Sequence, residues 1–302
     1  MMSEEYHIPV LFNEVIEALD IKPDGVYVDC TFGGGGHAKG ILEKLGEAGK
    51  LVGFDQDADA QANIPPDKRV VFVAQNFRHL QRFLKLHKID GVDGVLADLG
   101  VSSHQFDEGE RGFSTRFNGP LDMRMDRRQP KTAATVLTGY TEPQLHKMFE
   151  QYGEVSNSKT LAKHIVQNRQ FKGLQTIEGL RAMLHTVVKG NPHKYLAQVF
   201  QALRIEVNEE MLALTEMLQQ LPAVLNKGGR AAVITFHSGE DRIVKNFFKH
   251  GEEGDEPENP FATNTKEQLM KVITKKPVVP SEEEIKRNPR ARSAKLRVAE
   301  RV

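Results

Sequence analysis

Four consecutive glycines, Gly33 to Gly36, follow a short apolar run and precede a stretch with helical periodicity. Because glycine has no Cβ atom, such a loop lets a ligand touch the main chain and the helix N-terminus directly. A flexible turn is also rich in glycine, but glycines at a junction between a strand and a helix more often mark a nucleotide site. The run therefore predicts a loop that binds a nucleotide-like ligand.

A carboxylate follows the next apolar run at Asp55, 19 positions after Gly36. In nucleotide-binding α/β folds, an acidic residue about 20 positions after the glycine loop binds the ribose hydroxyls. When the dinucleotide pattern G-x-G-x-x-G begins at Gly33, its last position is Ala38. This departure disfavours NAD, whose pyrophosphate needs the full pattern, and favours an adenosine cofactor without phosphates, such as S-adenosylmethionine.

Two further candidates follow later apolar runs. Asp98 begins the segment Asp-Leu-Gly-Val-Ser-Ser, where methyltransferases acting on amines often have an acid or amide followed by Pro-Pro-aromatic; this chain keeps only the acid. Asp98 either serves the reaction or caps the next turn, since aspartate is common in turns. His237 precedes Ser238, and adjacent strand residues face opposite sides, so it is poorly placed to activate that serine. Its alternatives are capping a helix and binding a phosphate.

A parallel sheet would position all of these residues. Short apolar runs predict strands at 26–29, 50–54, 69–73, 94–97 and 230–236, with 270–279 and 294–299 closing the sheet. Helical stretches separate the early runs, which is typical of strands joined by crossover helices. Because the carboxyl ends of parallel strands share one edge, the glycine loop, Asp55 and Asp98 are expected to lie together there.

The alternation stops after the fourth run. A polar, arginine-rich segment at 106–130 predicts a loop, and helical spacings follow it until one long helix, 195–225, leads back to the sheet. We therefore expect a Rossmann-like domain of residues 1–105 and 200–302, and an inserted loop and helical substrate-recognition domain of residues 106–199. The acidic stretch 251–260 is expected to form an exposed loop.

Composition narrows the function classes. Among the 302 residues, 41 are Lys or Arg and 41 are Asp or Glu, so an anionic partner must be met by local basic patches. The single cysteine, Cys30, excludes an internal disulfide and a cysteine-cluster metal site. No metal is expected. The start has no apolar signal region, and the longest apolar run, 231–236, is too short for a membrane span. We expect a cytoplasmic protein without a membrane partner; these patterns do not encode its oligomeric state.

Five motifs together resemble one family: DCTFGGGGH, DLGVSSHQFD, ERGFS with GPLDMRMD, TFHSGEDRIVK and NPRARSAKLR. They occur in consistent order from residue 29 to residue 297 and are similar to the bacterial 16S ribosomal RNA cytosine N4-methyltransferases, the methyltransferase H or MraW type. The resemblance implies a class I S-adenosylmethionine-dependent fold with an inserted helical domain. It also implies methylation of a cytosine in the ribosomal decoding centre, with 16S ribosomal RNA or the small subunit as partner.

The resemblance also carries over individual residues. Its cofactor contacts fall on Gly35, Gly36, His37, Asp55, Phe77, Asp98 and Gln105. Phe77 could instead be a core residue and Gln105 a loop residue. Two basic segments are candidates for RNA contact, through Arg111, Arg124 and Arg127 in the first and Arg290, Arg292 and Lys295 in the second. Phe113 and Phe117, interleaved in the first segment, could stack on unpaired bases. A solvated charged face is the alternative for both segments.

We expect Asp98 to be the catalytic residue. The cytosine N4 amine is a weak nucleophile because its lone pair is delocalised into the ring. A carboxylate that accepts an N4–H hydrogen bond would favour transfer to a methyl sulfonium held in line. Binding the cofactor is the competing role for Asp98. Two other functions remain open at this stage: an NAD-dependent oxidoreductase, and a non-catalytic RNA-binding protein of ribosome assembly.

Overall fold

The computed structural model describes residues 9–170, 173–251 and 269–302, and in them the chain forms an α/β fold around a seven-stranded sheet. The strands are β1 (Val26–Asp29), β2 (Lys50–Phe54), β3 (Val70–Val73), β4 (Val92–Asp98), β5 (Leu225–Thr235), β6 (Met270–Val272) and β7 (Lys295–Arg301). Their order is β3-β2-β1-β4-β5-β7-β6, with the first five parallel and the last two pairings antiparallel. The predicted class I methyltransferase architecture is thereby confirmed.

Helices connect and cover these strands. Those of the described residues are α1 (Phe12–Ala18), α2 (Gly36–Lys44), α3 (Leu80–Leu86), α4 (Ser103–Asp107), α5 (Ala133–Gly139), α6 (Glu142–Gln151), α7 (Ser158–Asn168), α8 (Ile177–Leu184), α9 (Pro192–Asn208), α10 (Glu210–Val224), α11 (Ser238–His250) and α12 (Glu282–Arg287). Single 3₁₀ turns lie at Ala58–Asn63, Phe77–His79, Gly109–Arg111 and Pro289–Ser293. Within these described ranges, no helix is both long and apolar enough to cross a membrane.

The sheet is buried on both faces, which explains the continuous apolar runs in the sequence. In β1, Tyr27 and Val28 point to opposite faces because strand residues alternate. Tyr27 lies opposite Leu51 of β2 in one core, and Val28 lies opposite Val52 in the other. Two apolar cores therefore hold the strand ends in a fixed register.

The chain divides into two compact units. One contains the described residues of Met1–Gly100 and Leu212–Val302, and the other is Val101–Met211. The second unit has its own apolar core, built around residues such as Leu137, Phe149 and Leu203. The domain boundaries predicted from the sequence lie at 105/106 and 199/200. The substrate-recognition role of the inserted part stays a prediction.

The prediction of one long helix over 195–225 is wrong. Two helices, α9 and α10, meet at Glu209, whose φ of 51° lies in the left-handed region and interrupts helical hydrogen bonding. The neighbouring Asn208 side chain accepts from Met125 N (2.7 Å) and donates to Met123 O (2.7 Å). These tertiary bonds stabilise the end of α9 at a position that helical periodicity does not reveal.

Several boundaries also differ from the expected ones. Strand β5 begins at Leu225, before the predicted residue 230, and its pairing with β4 is irregular there, with Gly228 at a φ of 76°. The predicted strand 270–279 is reduced to β6, and Val278 forms an isolated bridge with Leu296. The expected loop at 106–130 contains the end of α4 and one 3₁₀ turn. Apart from Gly251, the stretch 251–260 lies outside the described residues.

Candidate cofactor and active site

The carboxyl ends of three neighbouring strands meet at one edge of the sheet. Strand β1 lies between β2 and β4, and all three run parallel. Asp29 ends β1, Asp98 ends β4, and Asp55 follows directly after β2. Open α/β sheets bind their ligands at this edge. The first unit therefore brings three carboxyl groups and the glycine loop to the position where a ligand is expected.

The glycine loop turns sharply between β1 and α2. Gly35 has a φ of 75°, a left-handed conformation that strongly favours glycine. A Cβ atom on Gly34 would meet no other atom within 4 Å, so this side of the loop is open. A Cβ atom on Gly36, in contrast, would collide with the ring of Pro9. Glycine is therefore required at position 36 because any larger residue would collide with Pro9. The sequence did not suggest this packing constraint.

Asp55 anchors the glycine loop. Its Oδ2 atom accepts a hydrogen bond from Gly33 N (2.8 Å), and its Oδ1 atom accepts one from Asp57 N (2.8 Å). The side chain belongs to a residue of intermediate exposure, so solvent and ligands still reach it. Each carboxylate oxygen has a second acceptor position. Asp55 is thus able to hold the loop and to accept hydrogen bonds from a ligand at the same time.

Asp29 is a candidate site residue that was not among those predicted from the sequence. It is only 1% exposed, and its Oδ1 atom accepts a hydrogen bond from Thr31 N (3.0 Å). Burial, with the nearby Asp55 carboxylate as a weaker cause, raises the pKa of Asp29 to about 7. The available signal was an acidic residue directly before the glycine loop, at the end of an apolar strand.

Asp98 presents an oxygen with no protein partner. Its side chain is 24% exposed, yet the Oδ1 atom is buried and bonds to no group among the described residues. Burial, followed by the negative charges of Asp29 and Glu240, raises the pKa of Asp98 well above its usual range. No bond from its carboxylate to the following turn is observed within the described residues. The interpretation of Asp98 as a turn cap therefore has no support.

His37 lies beside Asp98 in the first turn of α2. Its Nδ1 atom is 3.8 Å from Asp98 Oδ2, and its Nε2 atom is 3.1 Å from Val10 O. Burial lowers the pKa of His37 to about 4, so the ring is neutral at pH 7. We assign the proton to Nε2, which faces the carbonyl, because this leaves Nδ1 as an acceptor. When Asp98 is ionised, its carboxylate and His37 Nδ1 form a pair of acceptors suited to a ligand with two N–H donors.

The remaining predicted cofactor residues lie in different surroundings. Phe77 is half-buried at the start of a 3₁₀ turn after β3 and packs against the core of the first unit. Gln105 belongs to the second unit and is 6% exposed. Its Oε1 atom accepts from Ser102 N (3.1 Å), while Ser102 Oγ accepts from Gln105 N (3.1 Å). Gln105 thus forms a capping box at the start of α4, and a contact with a cofactor stays a prediction.

His237 occupies the N-cap position of α11, where its Nδ1 atom lies 3.5 Å from Glu240 N. The Nε2 atom is 3.2 Å from Glu240 Oε1. Glu240 is only 2% exposed, and its Oε2 atom accepts from Phe236 N (2.8 Å). The structure therefore favours the helix-capping interpretation of His237 over phosphate binding.

Arg111 does not fit its predicted role in RNA binding. The residue is 2% exposed, and its guanidinium donates to the carbonyl groups of Arg124 (3.1 Å) and Met125 (3.3 Å). A phosphate on the protein surface cannot reach a guanidinium buried in this way. Arg111 holds the irregular segment together, so the prediction is corrected to a structural role.

The other predicted RNA contacts differ in availability. Arg124 forms a bidentate ion pair with Asp122 (2.7 and 2.8 Å), whereas Arg127 is exposed. Arg290 and Arg292 are exposed on the 3₁₀ turn that precedes β7. Lys295 Nζ lies 3.2 Å from Asp241 Oδ2, which neutralises part of its charge. Phe117 is 40% exposed, while Phe113 is buried. Arg127, Arg290 and Arg292 are therefore exposed, whereas Arg124 and Lys295 have acidic partners.

A metal site is not evident in the part of the chain that the structure describes. Within residues 9–170, 173–251 and 269–302, no group of three or more His, Cys, Asp or Glu side chains is arranged to hold a metal ion.

Comparison with known proteins gives consistent matches over the whole length. The model of the MraW methylase family matches residues 4–302. "Ribosomal RNA small subunit methyltransferase H" of Parabacteroides distasonis is 52% identical over 299 residues, covering 98% of each chain. The protein of the same name from Bacteroides thetaiotaomicron is 52% identical, covering 98% of this chain and 97% of its own. That of Flavobacterium johnsoniae is 50% identical, covering 99% of this chain and 98% of its own.

Proposed function

The chain belongs to the MraW methylase family, and from this premise we propose that it transfers a methyl group from S-adenosylmethionine to small-subunit ribosomal RNA. The relatives described above are named as methyltransferases of small-subunit ribosomal RNA, which supports the methyl transfer and the RNA substrate. The finer part of the proposal is the acceptor, the N4 amine of a cytosine in the decoding centre. The observation that supports it best is Asp98, which offers a buried, unpartnered carboxyl oxygen beside the glycine loop.

The residues of the first unit suit this cofactor. S-adenosylmethionine carries a positive sulfonium and an ammonium, and the edge of the sheet supplies Asp29 and Asp98. Its adenosine has ribose hydroxyls that the partly exposed Asp55 carboxylate would bind. The open side of Gly34 permits close approach to the backbone. Gly35 and His37 are proposed as further contacts, and Phe77 would pack near the adenine. When bound, the cofactor supplies a methyl group activated by its sulfonium charge.

Asp98 and His37 would orient the acceptor amine. An amine with two N–H donors would bond to the Asp98 carboxylate and to His37 Nδ1, two acceptor atoms 3.8 Å apart. The Asp98 carboxylate would accept a hydrogen bond from one N–H of the amine. This bond draws the proton partly away from the nitrogen and so favours a lone pair localised on the nitrogen. The proton leaves the amine after transfer, when the nitrogen has become strongly acidic. Asp98 is close enough to accept it in this arrangement, and its raised pKa makes it a better base.

The RNA must present the target base outside its stack. A base in a duplex is unreachable for methylation at N4, so the enzyme takes a single-stranded region or extrudes the nucleotide. Arg127, Arg290 and Arg292 would bind phosphates, and the exposed ring of Phe117 would stack on an unpaired base. Arg124 and Lys295 are retained as proposed RNA contacts, and Gln105 is retained as a proposed cofactor contact. A cytoplasmic location, where ribosomes assemble, stays part of the prediction.

Methyl transfer from labelled S-adenosylmethionine to small-subunit RNA tests the proposal directly. We expect label in one nucleoside, identified by mass spectrometry as N4-methylated cytidine. Calorimetric titration with S-adenosylmethionine and with NAD provides the second measurement, with binding expected only for the first. A protein that binds RNA and cofactor without transferring the methyl group would instead support a non-catalytic role in ribosome assembly. Binding of NAD alone would support an oxidoreductase.

A further inference from the structure

The second unit contains a strongly basic region that the sequence motifs do not include. Between residues 155 and 205, eight Lys and Arg residues accompany one acidic residue, Glu178, whereas the whole chain has 41 of each charge. Glu178 is itself bonded to Asn118 Nδ2 (2.8 Å). This part of the chain therefore has a large local excess of positive charge within a protein whose formal net charge is zero.

Four lysines of this region are exposed and have no ion-pair partner among the described residues. They are Lys159 and Lys163 on α7, Lys189 in the connection between α8 and α9, and Lys194 in the first turn of α9. We call these four residues the cationic face. By contrast, Lys131 is paired with Glu209 and Lys295 with Asp241. The charges of the cationic face remain available to a partner.

Hydrogen bonds fix the two halves of the cationic face next to each other. Asn157, two residues before Lys159, donates from its side chain to Val187 O (2.9 Å), two residues before Lys189. The His164 ring, directly after Lys163, lies 3.0 Å from Met183 O. Lys159 and Lys163 are four residues apart and so share one side of α7. The start of α7 and the connection between α8 and α9 thus form one supported surface.

The α9 end of this surface favours anions further. Asn191 caps the 17-residue helix α9 by accepting from His193 N and Lys194 N. The positive end of the helix dipole therefore lies between Lys189 and Lys194 and adds to their field. The dipole contribution is smaller than that of the lysines, but it has the same sign.

The chemistry of the cationic face indicates nucleic acid more than protein. Among the described residues of 155–205, none is a large hydrophobic side chain that is exposed. Specific protein interfaces usually have an apolar, aromatic-rich centre with a polar rim. Phosphate recognition requires instead several unpaired cations together with neutral donors, such as Thr186 and Asn191 here. A surface with free lysines and no apolar centre fits a phosphate backbone.

We propose that the cationic face binds the phosphate backbone of the RNA substrate, a proposal that rests on the proposed function. Lysine contacts of this kind carry no sequence information and serve to hold the RNA in position. The cationic face would therefore contribute affinity and salt dependence, while base selection occurs elsewhere in the protein.

The test compares two matched quadruple variants of the full chain. One replaces the cationic face, with Lys159→Gln, Lys163→Gln, Lys189→Gln and Lys194→Gln. The control replaces four exposed lysines of the first unit, with Lys44→Gln, Lys50→Gln, Lys68→Gln and Lys85→Gln. Binding of a small-subunit ribosomal RNA transcript is measured between about 50 and 200 mM salt, and S-adenosylmethionine affinity is measured in parallel.

We expect the cationic-face variant to bind the transcript roughly tenfold or more weakly at the lower salt concentration. Its plot of log affinity against log salt should be shallower by about 3, because each of the four lost phosphate contacts removes roughly 0.7 to 0.9 from the slope. Cofactor affinity should equal that of wild type, which shows that the first unit is folded. A circular dichroism spectrum and a urea unfolding curve equal to those of wild type show that the second unit, which carries the substitutions, is folded as well. The control variant should lose little RNA affinity and little cofactor affinity.

Three outcomes would overturn the inference. An unchanged salt slope would show that the four lysines do not meet phosphates. An equal loss in the control variant would show a general charge effect. Unchanged RNA binding, with weakened binding to RNA-free small-subunit proteins, would assign the face to a protein partner. If wild-type protein neither binds nor methylates the transcript or the assembled subunit, the proposed function itself fails, which is a separate result.

Discussion

The backbone N–H of Asp98 donates a 2.7 Å hydrogen bond to the hydroxyl of Thr31. The same hydroxyl lies 3.4 Å from Asp29 Oδ1, to which it donates. Thr31 therefore joins the carboxyl ends of β1 and β4 and places two acidic side chains close together. The negative charge of Asp29 adds to burial in raising the pKa of Asp98, since like charges repel strongly where water is excluded.

Substituting Asp29 should change the pH dependence of the reaction. Asp29 raises the pKa of Asp98, and the proposed mechanism requires the ionised form of Asp98. The rate should therefore increase as pH rises through that raised pKa. Asp29→Asn removes a negative neighbour but keeps an acceptor for Thr31. The acidic limb of the kcat profile should therefore move to lower pH, while burial still keeps the pKa of Asp98 above its usual range. Asp90→Asn, at an exposed position, should leave the profile unchanged. A pH profile of kcat that Asp29→Asn leaves unchanged would show that Asp29 does not influence the ionisation of Asp98 in the reaction.

The role of Asp98 can be divided between catalysis and binding by kinetics. Asp98→Asn retains the shape and one acceptor oxygen but removes the negative charge. Loss of general-base assistance should lower kcat by about 10² to 10⁴ at saturating cofactor and RNA. A change confined to the KM for the cofactor would indicate a binding role alone. Normal values for both constants in a folded variant would remove Asp98 from the site.

Asp55 should be needed for cofactor affinity. Asp55→Ala removes the acceptors for Gly33 N and Asp57 N, and with them the proposed bonds to the ribose. Charge-assisted hydrogen bonds are worth roughly 1.5 to 3 kcal/mol each, so S-adenosylmethionine affinity should fall at least about tenfold by calorimetric titration. Asp59→Ala is the control, because this residue is also acidic and exposed on the following 3₁₀ turn. Affinity equal to wild type in Asp55→Ala would exclude Asp55 from the cofactor site.

Arg111 should contribute to stability and not to RNA binding through its own charge. Arg111→Met leaves the buried carbonyl groups of Arg124 and Met125 without a donor. The free energy of unfolding, measured in urea by circular dichroism, should fall by about 2 to 4 kcal/mol. Arg127→Met, at an exposed position two residues after Met125, should change it by less than about 0.5 kcal/mol. Equal stability of the two variants would contradict the structural role of Arg111.

The sequence by itself determined the central sheet and the sheet edge at which the candidate cofactor residues meet. Short apolar runs predict buried parallel strands, and the glycine loop, Asp55 and Asp98 each stand where such a run ends. Because parallel strands share a carboxyl edge, position along the chain translates directly into proximity at that edge. Local patterns were sufficient here because the geometry of the sheet is regular.

Tertiary structure decided the features that depend on partners distant in sequence. Helix α9 ends at Asn208 because that side chain bonds to Met123 and Met125, more than 80 positions away. Arg111 is buried although arginine is usually exposed, since backbone carbonyl groups of a folded segment satisfy its guanidinium. The lysines of the cationic face are scattered over 36 positions and form one surface only where α7 packs beside the connection between α8 and α9. The spacing of apolar residues predicts which elements form and which side of each is buried. Hydrogen bonds and ion pairs between residues distant in sequence form only when the chain has folded.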